Sequence, residues 1–306
     1  MSGDNQPIYH HFIPRFYLRR WADSERRVCR FSKPYDRIIP KMVSTRGTGG
    51  EDNLYSLKSV APEHAHWFER GPMKAIDTAA NYVLGLLEAG KLETLTDKQR
   101  SAWGRFLMSL LMRGPRDIEV IKRVYAQEWQ KLIPEIVADF QGSDNEITRS
   151  LAQTVPKMLA LDSPMLADWG LEMAIDLMDH AGIGEMLINM EWIVRDVPED
   201  GPELLTSDRP IMKSGELIQS DDFVLLPIGP KKLFIAVRDT ETVKRVQAYD
   251  AAVQAEAVNR YVVGRAQECV YGTNGNQLDF VREHMGTKPE KTLFERLVEF
   301  RKRLGG

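Results

Sequence analysis

Through residues 62–182, apolar residues recur at the 3.6-residue spacing of amphipathic helices. The clearest stripe lies in residues 73–88 and ends before Gly90. Thr96-Asp97-Lys98-Gln99 is a capping box, in which two side chains satisfy free backbone N–H groups, and the helix that it opens stops at Gly114-Pro115. Further helices are predicted at residues 116–140, 146–161 and 165–180, the first bent or broken at Pro134. The middle of the chain is therefore predicted to be helical.

The segment before these helices, residues 26–57, has extended character. Polar and apolar residues alternate over residues 28–31, Lys33-Pro34-Tyr35-Asp36 is typical of a turn, and residues 38–43 resume the extended pattern. Pro40 has no backbone N–H to donate to a neighbouring strand. We therefore predict a hairpin whose second strand lies at a sheet edge.

The pattern changes again after Gly184. Strands are predicted at residues 186–194, 204–206, 223–227, 233–237 and 268–271. Two of them, 223–227 and 233–237, are continuously apolar and flank Gly229-Pro230-Lys231-Lys232, which predicts a hairpin in a buried sheet. Helices are predicted at residues 240–265 and 288–303, the second with a stripe of Leu293, Phe294, Leu297, Val298 and Phe300.

These elements predict an α+β fold: an N-terminal extended segment and hairpin, a helical middle and a mostly antiparallel C-terminal sheet. Residues 1–306 are expected to form a single domain, with helical residues 62–182 inserted between extended regions 26–57 and 184–275. The two extended regions can pair with each other across this insertion.

Composition narrows the class of protein. The chain of 306 residues has a formal net charge of −3, so no overall positive field favours non-specific nucleic-acid binding, although a local basic surface is compatible with this value. No apolar run approaches the ~20 residues of a membrane helix, and the polar residues 1–6 lack a signal-peptide profile. Cys29 and Cys269 fit no metal-ligand spacing. We expect a cytoplasmic protein with reduced thiols and no membrane partner.

The segment richest in candidate chemistry runs from Tyr9 to Trp21 and contains His10, His11 and Arg15. In an extended segment adjacent side chains point to opposite faces, so one histidine can face a site while the other packs. The histidine pair with Pro14 also resembles the opening of His-Asn-His nucleases, but the later residues of that motif are missing. The alternative is that both histidines cap a helix and bond the backbone.

A second candidate is Ser207-Asp208-Arg209-Pro210, which follows a predicted short strand. Asp208 can act as a metal ligand or general base, and Ser207 can contact a phosphate. The alternative is a turn, because Asp and Ser side chains often bond nearby backbone groups before a proline. No Gly-x-Ser-x-Gly motif surrounds Ser207, which argues against a serine hydrolase.

The basic residues near the N-terminus also allow two interpretations. Arg15, Arg19 and Arg20 alternate with aromatic residues, as in proteins that stack bases and contact phosphates, but an amphipathic helix that packs its rings inward has the same composition. Inward packing is favoured. Arg113 precedes Gly114 at a predicted helix end, where its charge complements the helix dipole. His64 and His66, two residues apart, are not expected to share a metal.

Several short motifs resemble a bacterial domain-of-unknown-function family numbered 4238. In chain order they are His10-His11-Phe12-Ile13-Pro14-Arg15-Phe16-Tyr17-Leu18, Asp52-Asn53-Leu54-Tyr55, Met112-Arg113-Gly114-Pro115, Leu205-Thr206-Ser207-Asp208-Arg209-Pro210, Leu226-Pro227-Ile228-Gly229-Pro230 and the helix from Asn259 to Ala266. This chain has Arg209 where other members often carry Asn. The resemblance implies a fold and the location of a site, and it implies no reaction.

Because the chemically able residues coincide with these motifs, we expect His10, His11, Arg15, Asn53 and Asp208 to converge. One hypothesis is a metal-assisted hydrolase of a phosphodiester or nucleotide. In it His10, His11 and Asp208 are catalytic, Arg15, Asn53 and Ser207 bind substrate, and His11 with Asp208 hold a divalent metal. Its partner is a nucleic acid or nucleotide. The alternative is a non-enzymatic interaction or sensing module in which the His-His-Pro motif is structural.

The continuously apolar strands generate a prediction about cooperativity. Covering them stabilises the fold by several kcal/mol at about 25 cal/mol per Å² of apolar surface, and the helices of residues 73–111 are the natural cover. We expect one unfolding transition for the full chain and no stable fold for a fragment of residues 184–306. Denaturation of the chain and amide spectra of the fragment check this. A soluble fragment with dispersed spectra and its own sharp melt would contradict it.

Overall fold

A computed structural model describes residues 8–214 and 221–304, without the side chains of residues 297 and 300–304. The polar opening at residues 1–6 and the side chains of the stripe positions Leu297 and Phe300 thus lie outside the described parts. Antiparallel strands and a helical middle confirm the α+β class. No helix in the described ranges is long and apolar enough to cross a bilayer.

The N-terminal segment forms a strand, a short helix and a hairpin. Strand β1 (Tyr9–His11) pairs antiparallel with β4 (Gly50–Asp52). Helix α1 (Arg15–Leu18) follows Pro14 and buries Phe16, Tyr17 and Leu18, which confirms the inward packing of the rings. Strands β2 (Arg27–Tyr35) and β3 (Arg37–Ser44) form the predicted hairpin.

The first four-stranded sheet adds β6 (Thr206–Ser207) and β10 (Cys269–Gly272) to the hairpin. Its order is β3-β2-β10-β6, every pairing is antiparallel, and it joins the two extended regions of the sequence. Pairing across the helical insertion is therefore confirmed. Pro40 lies on edge strand β3, where its missing N–H interrupts no ladder.

The middle of the chain is helical as predicted. It contains α2 (Lys74–Glu88), α3 (Asp97–Met112), α4 (Pro115–Gln141), α5 (Glu146–Met158), α6 (Pro164–Met178) and α7 (Ala181–Ile188). The capping box at Thr96 and Gln99 is present. Helix α4 continues through Pro134, which is exposed, so water can bond the carbonyl that lacks its helical donor.

Three predicted boundaries were wrong. Lys33, Pro34 and Tyr35, which were predicted to form a turn, continue strand β2, and the chain turns at Asp36. Residues 186–188 belong to α7, and strand β5 (Glu191–Asp196) begins only afterwards, because an apolar run this short fits a buried helix as well as a strand. The helix predicted at residues 240–265 is two helices, α8 (Thr240–Ala248) and α9 (Ala251–Arg265). Asp250 starts α9 by accepting the N–H groups of Ala252 and Val253.

The second four-stranded sheet has the order β5-β9-β8-β7, with β7 (Met212–Lys213), β8 (Phe223–Gly229) and β9 (Lys232–Val237). Phe234 contacts Trp103 of α3 on one face. Ile235 and Val237 pack with Val258 of α9 on the other. Both faces are covered, as the continuous apolar runs predict. The remaining helices are α10 (Leu278–His284) and α11 (Leu293–Leu304).

Tyr17 connects α1 to both sheets. Its hydroxyl is fully buried, donates to the carbonyl of Pro227 on β8 at 2.7 Å and lies 2.8 Å from Thr206 Oγ1 on β6. Since the tyrosine proton goes to the carbonyl, Thr206 is the donor of the second bond. One buried hydroxyl thus fixes the helix against two sheets.

Removal of this hydroxyl should destabilise the protein. Tyr17→Phe leaves the carbonyl of Pro227 and the hydroxyl of Thr206 buried without these bonds, so we expect a loss of about 1–3 kcal/mol in the free energy of unfolding. Urea denaturation measures it. Tyr35→Phe is the matched control, because Tyr35 is 82% exposed and should change stability by less than about 0.5 kcal/mol. Equal effects of both variants would refute the assignment.

Candidate functional site

The two adjacent histidines of β1 have different surroundings, as expected for an extended segment. His10 is fully buried. Its Nδ1 accepts the N–H of Tyr55 at 2.9 Å, its Nε2 lies 3.2 Å from Nδ1 of His66, and its ring stacks on Tyr55. The Tyr55 bond places the imidazole proton on Nε2, which therefore donates to His66. Burial, followed by the charge of His66, lowers the pKa of His10 to about 4.

Asn53 occupies a turn next to this strand. Its φ is 57°, in the left-handed region that asparagine tolerates better than most residues. Its side-chain oxygen accepts the N–H of Ile8, and its own N–H donates to the carbonyl of Ile8. Asn53 therefore closes the β1–β4 pairing, and its predicted contact with a substrate stays a prediction.

The side chains of Ser207 and Asp208 hydrogen-bond the backbone of distant segments. The carboxylate of Asp208 accepts the N–H groups of Gln267, Glu268 and Cys269. Ser207 Oγ donates to the carbonyl of Val262 at 3.1 Å. Burial raises the pKa of Asp208 to about 6, although its backbone bonds oppose the shift. The turn interpretation is confirmed for Ser207, whose Oγ also accepts the N–H of Arg209 at 3.0 Å. For Asp208 it was wrong, because the backbone N–H groups that its carboxylate accepts lie some 60 residues away.

His11 faces a different environment. Its Nε2 lies 3.2 Å from the carbonyl of Arg46, so that nitrogen carries the proton and donates. Burial, followed by the charge of Arg15, lowers the pKa of His11 to about 4. The side chain lines a cleft of about 480 Å³ with Arg15, Phe16, Arg19, Glu69, Arg70, Lys74, Asp77, Thr78 and Asn81, which we call the basic cleft.

The basic cleft does not include Asp208, which lines a separate cleft of about 730 Å³ together with Arg209 and Arg265. Of the five residues expected to converge, the structure brings His11 and Arg15 together at one cleft. The described ranges contain no group of three or more His, Cys, Asp or Glu side chains that could hold a metal ion. The catalytic, substrate-binding and metal roles assigned from the sequence stay predictions.

An ionic pair that no sequence pattern predicts lies beneath the basic cleft. Arg113 is fully buried, donates from Nε to the carbonyl of Phe12 at 2.9 Å, and donates from a terminal nitrogen to Asp77 at 2.9 Å. Its guanidinium thus bonds specific groups and does more than complement a helix dipole. Burial raises the pKa of Asp77, although the charge of Arg113 opposes the shift.

Glu69 is the most unusual acid in the basic cleft. It opens a π-helical turn (Glu69–Met73), which contains Pro72 and leads into α2. Burial, followed by the charge of Asp77, raises the pKa of Glu69 to about 7, against the opposing effects of Arg113 and the N–H of His11. One of its carboxylate oxygens is buried with no hydrogen-bond partner in the described part of the chain. Such turns recur at functional sites.

Comparison with known proteins shows which family profile the chain matches. The profile of the family described as "Protein of unknown function (DUF4238)" matches residues 9–276, from β1 to just before α10. The matched range includes His11, Glu69 and Asp77. No curated protein and no solved structure matches the chain.

The buried His10 generates a prediction about pH. Its pKa is lowered from 6.5 to about 4, so the unfolded chain binds the proton more tightly, and the stability contributed by neutral His10 is lost as pH falls from 6.5 to 4. His10→Asn keeps an acceptor for Tyr55 but cannot titrate. The stability difference between wild type and variant should therefore shrink, by on the order of 1–2 kcal/mol, between pH 7 and 4.5.

Urea denaturation at the two pH values measures this difference. His64→Asn is the matched control, because His64 is exposed on a short turn, and it should follow the wild type at both pH values. A constant difference between wild type and His10→Asn would exclude the proposed linkage.

Proposed function

We propose that this chain, which belongs to the family described as "Protein of unknown function (DUF4238)", hydrolyses phosphate esters at the basic cleft. The observation that carries the proposal is the carboxyl of Glu69, half-buried among cations, with a pKa of about 7 and one oxygen free of partners in the described structure. A group whose pKa lies near the working pH transfers protons most efficiently.

The cations of the basic cleft suit a phosphate group. Arg15, Arg19, Arg70 and Lys74 line it, and the Nε of Arg15 is buried with no partner among the described residues. Guanidinium groups bond phosphate oxygens in pairs, and charge-assisted bonds of this kind are stronger than neutral ones. Asp77 is paired with Arg113 and does not cancel these charges.

The proposed step is a displacement at phosphorus by water. Glu69, as the carboxylate, accepts one proton from the water molecule as the water oxygen bonds to phosphorus. The ester P–O bond breaks, and the departing oxygen takes a proton from the solvent. Glu69 then releases its proton to solvent. The arginines stabilise the negative charge that builds on the phosphate oxygens.

Other residues support this arrangement. His11 holds the backbone of Arg46 beside the basic cleft and acts as a positioning residue. The proposal assigns no ion to the pair of His11 and Asp208, since they line separate clefts.

A second candidate function is a non-enzymatic interaction or sensing module with a structural His-His-Pro motif. The observation that favours it is the internal use of the motif residues: His10 bonds Tyr55 and His66, and Asp208 bonds three backbone N–H groups. Such a module can bind a phosphate-bearing ligand, but it leaves the ester intact.

Substitution of Glu69 separates the two functions. Wild type should hydrolyse bis(p-nitrophenyl) phosphate or p-nitrophenyl phosphate, and Glu69→Gln should lower kcat about 10²- to 10³-fold because the amide cannot accept the proton. Assays with Mg²⁺, Mn²⁺ or EDTA cover the role of an ion. The control is Glu63→Gln, an exposed position on the preceding turn, which should leave kcat unchanged.

The pH profile distinguishes a catalytic Glu69 from a structural one. The rate should rise with pH through an inflection near 7, where Glu69 loses its proton. Asp77→Asn removes a charge that raises this pKa and leaves Arg113 unopposed, so the inflection should move to lower pH. Full activity of Glu69→Gln, or a profile unaffected by Asp77→Asn, would refute the proposed function.

A further inference from the structure

Six cations lie in the basic cleft or close to Arg15 at its edge, so the positive surface extends beyond the cleft itself. Four of them, Arg15, Arg19, Arg70 and Lys74, line the basic cleft. Arg26 and Arg46 lie close enough for their charges to lower the pKa of Arg15, as that of Arg19 does, although burial is the larger cause. We call Arg15, Arg19, Arg26, Arg46, Arg70 and Lys74 the basic rim.

The basic rim is not neutralised by the protein. Within the described part of the chain none of its six members forms an ion pair, and all except Arg15 are exposed. Their sequence neighbours behave differently: Arg20 pairs with Glu88, and Arg27 pairs with Asp23 and Glu25. The chain has a net charge of −3, so its composition does not require such a cluster.

The backbone at Arg26 gives a second indication. Arg26 has φ 60°, the left-handed conformation, which is costly for residues other than glycine and asparagine. Glycine would relieve this strain but would remove the charge. Clustering of like charges is also unfavourable, so the rim is stabilised when an anion with several charges binds along it.

We propose that the substrate of this site is single-stranded nucleic acid, whose successive phosphates lie along the basic rim and place one ester beside Glu69. This inference rests on the proposed function and names its substrate class. A mononucleotide concentrates its phosphate charge at one point and engages only part of the rim. A flexible strand can enter the cleft to reach half-buried Glu69, whereas a stiff duplex keeps its phosphates at its own surface.

An exposed aromatic side chain is suitably placed for a base. Trp67 is 55% exposed and lies one turn before Arg70, with its indole beside Gly71 of the π-helical turn. Stacking of bases on aromatic rings next to a basic groove is the usual way in which proteins bind single strands without strong sequence preference.

Binding is measured in the full chain carrying Glu69→Gln, so that hydrolysis does not interfere. The probes are fluorescent 15-nucleotide single strands of DNA and RNA, with a 15-base-pair duplex, a mononucleotide and phosphatidylserine vesicles as competitors. We expect a single strand to bind most tightly. The slope of log K against log salt should be about −2 or steeper, which corresponds to at least three neutralised phosphates at about −0.7 each.

Substitutions at the end of the rim test its role away from the reacting group. Arg26→Ala and Arg46→Ala should each weaken binding about 3- to 10-fold and reduce the salt slope by about 0.7. Trp67→Ala should weaken single-strand binding and leave the salt slope unchanged. The matched control is Arg37→Ala, since exposed Arg37 begins β3 roughly 25 Å from the end that leads to Arg46.

The outcomes separate this inference from the proposed function. Tight mononucleotide binding, equal to that of the strand and unaffected by Arg26→Ala, would overturn the inference and leave the hydrolase intact. Preferential binding of duplex or vesicles would also overturn it. Strand binding with the expected salt slope supports it, whereas full activity of Glu69→Gln removes the proposed function by a separate assay.

Discussion

The buried guanidinium of Arg113 is the interaction on which the site depends. It has no exposure to solvent, and its partners come from two other segments: the carbonyl of Phe12 and the carboxylate of Asp77. The backbone carbonyl of Arg113 accepts the hydroxyl of Tyr55, which in turn stacks on His10. A buried charge is tolerated only when it is paired and bonded, so these partners must assemble together. The N-terminal motif, α2 and α3 are therefore mutually positioned by one cation.

Much of the fold was predictable because its signals are local. The capping box at Thr96 and the turn at residues 229–232 each involve only a few neighbouring residues. Pro40 indicates an edge strand because it has no backbone N–H to donate to a neighbouring strand. The predicted boundary at Ile188 was wrong because an apolar run of three residues fits both the helical period and the strand period. Only the packing of Leu187 into the core selects the helix.

The candidate site was only partly predictable because its members meet through irregular geometry. Glu69 and Asp77 are eight residues apart, which in a regular helix separates them by about 80° around the axis. The π-helical turn widens the helix by about one residue and reduces this separation to roughly 20°, so both face one cleft. Pro72, which lies inside this turn, was the feature of the sequence that could have indicated the irregular helix. The sequence suggests His10 and Asp208 as candidates because their side chains are polar. In the structure both side chains are buried and accept backbone N–H groups.

The pairing of β2 with β10 has a consequence for the newly made chain. Cys269 lies opposite Ser32, so the first sheet is completed by residues roughly 240 positions apart. At the ~5–20 residues per second of synthesis, the N-terminal hairpin waits on the order of tens of seconds for its partner strand. During this interval β2 presents an unpaired edge with the apolar side chains of Val28 and Phe31. The order of synthesis, and not only the final structure, thus decides how long this edge stays unpaired.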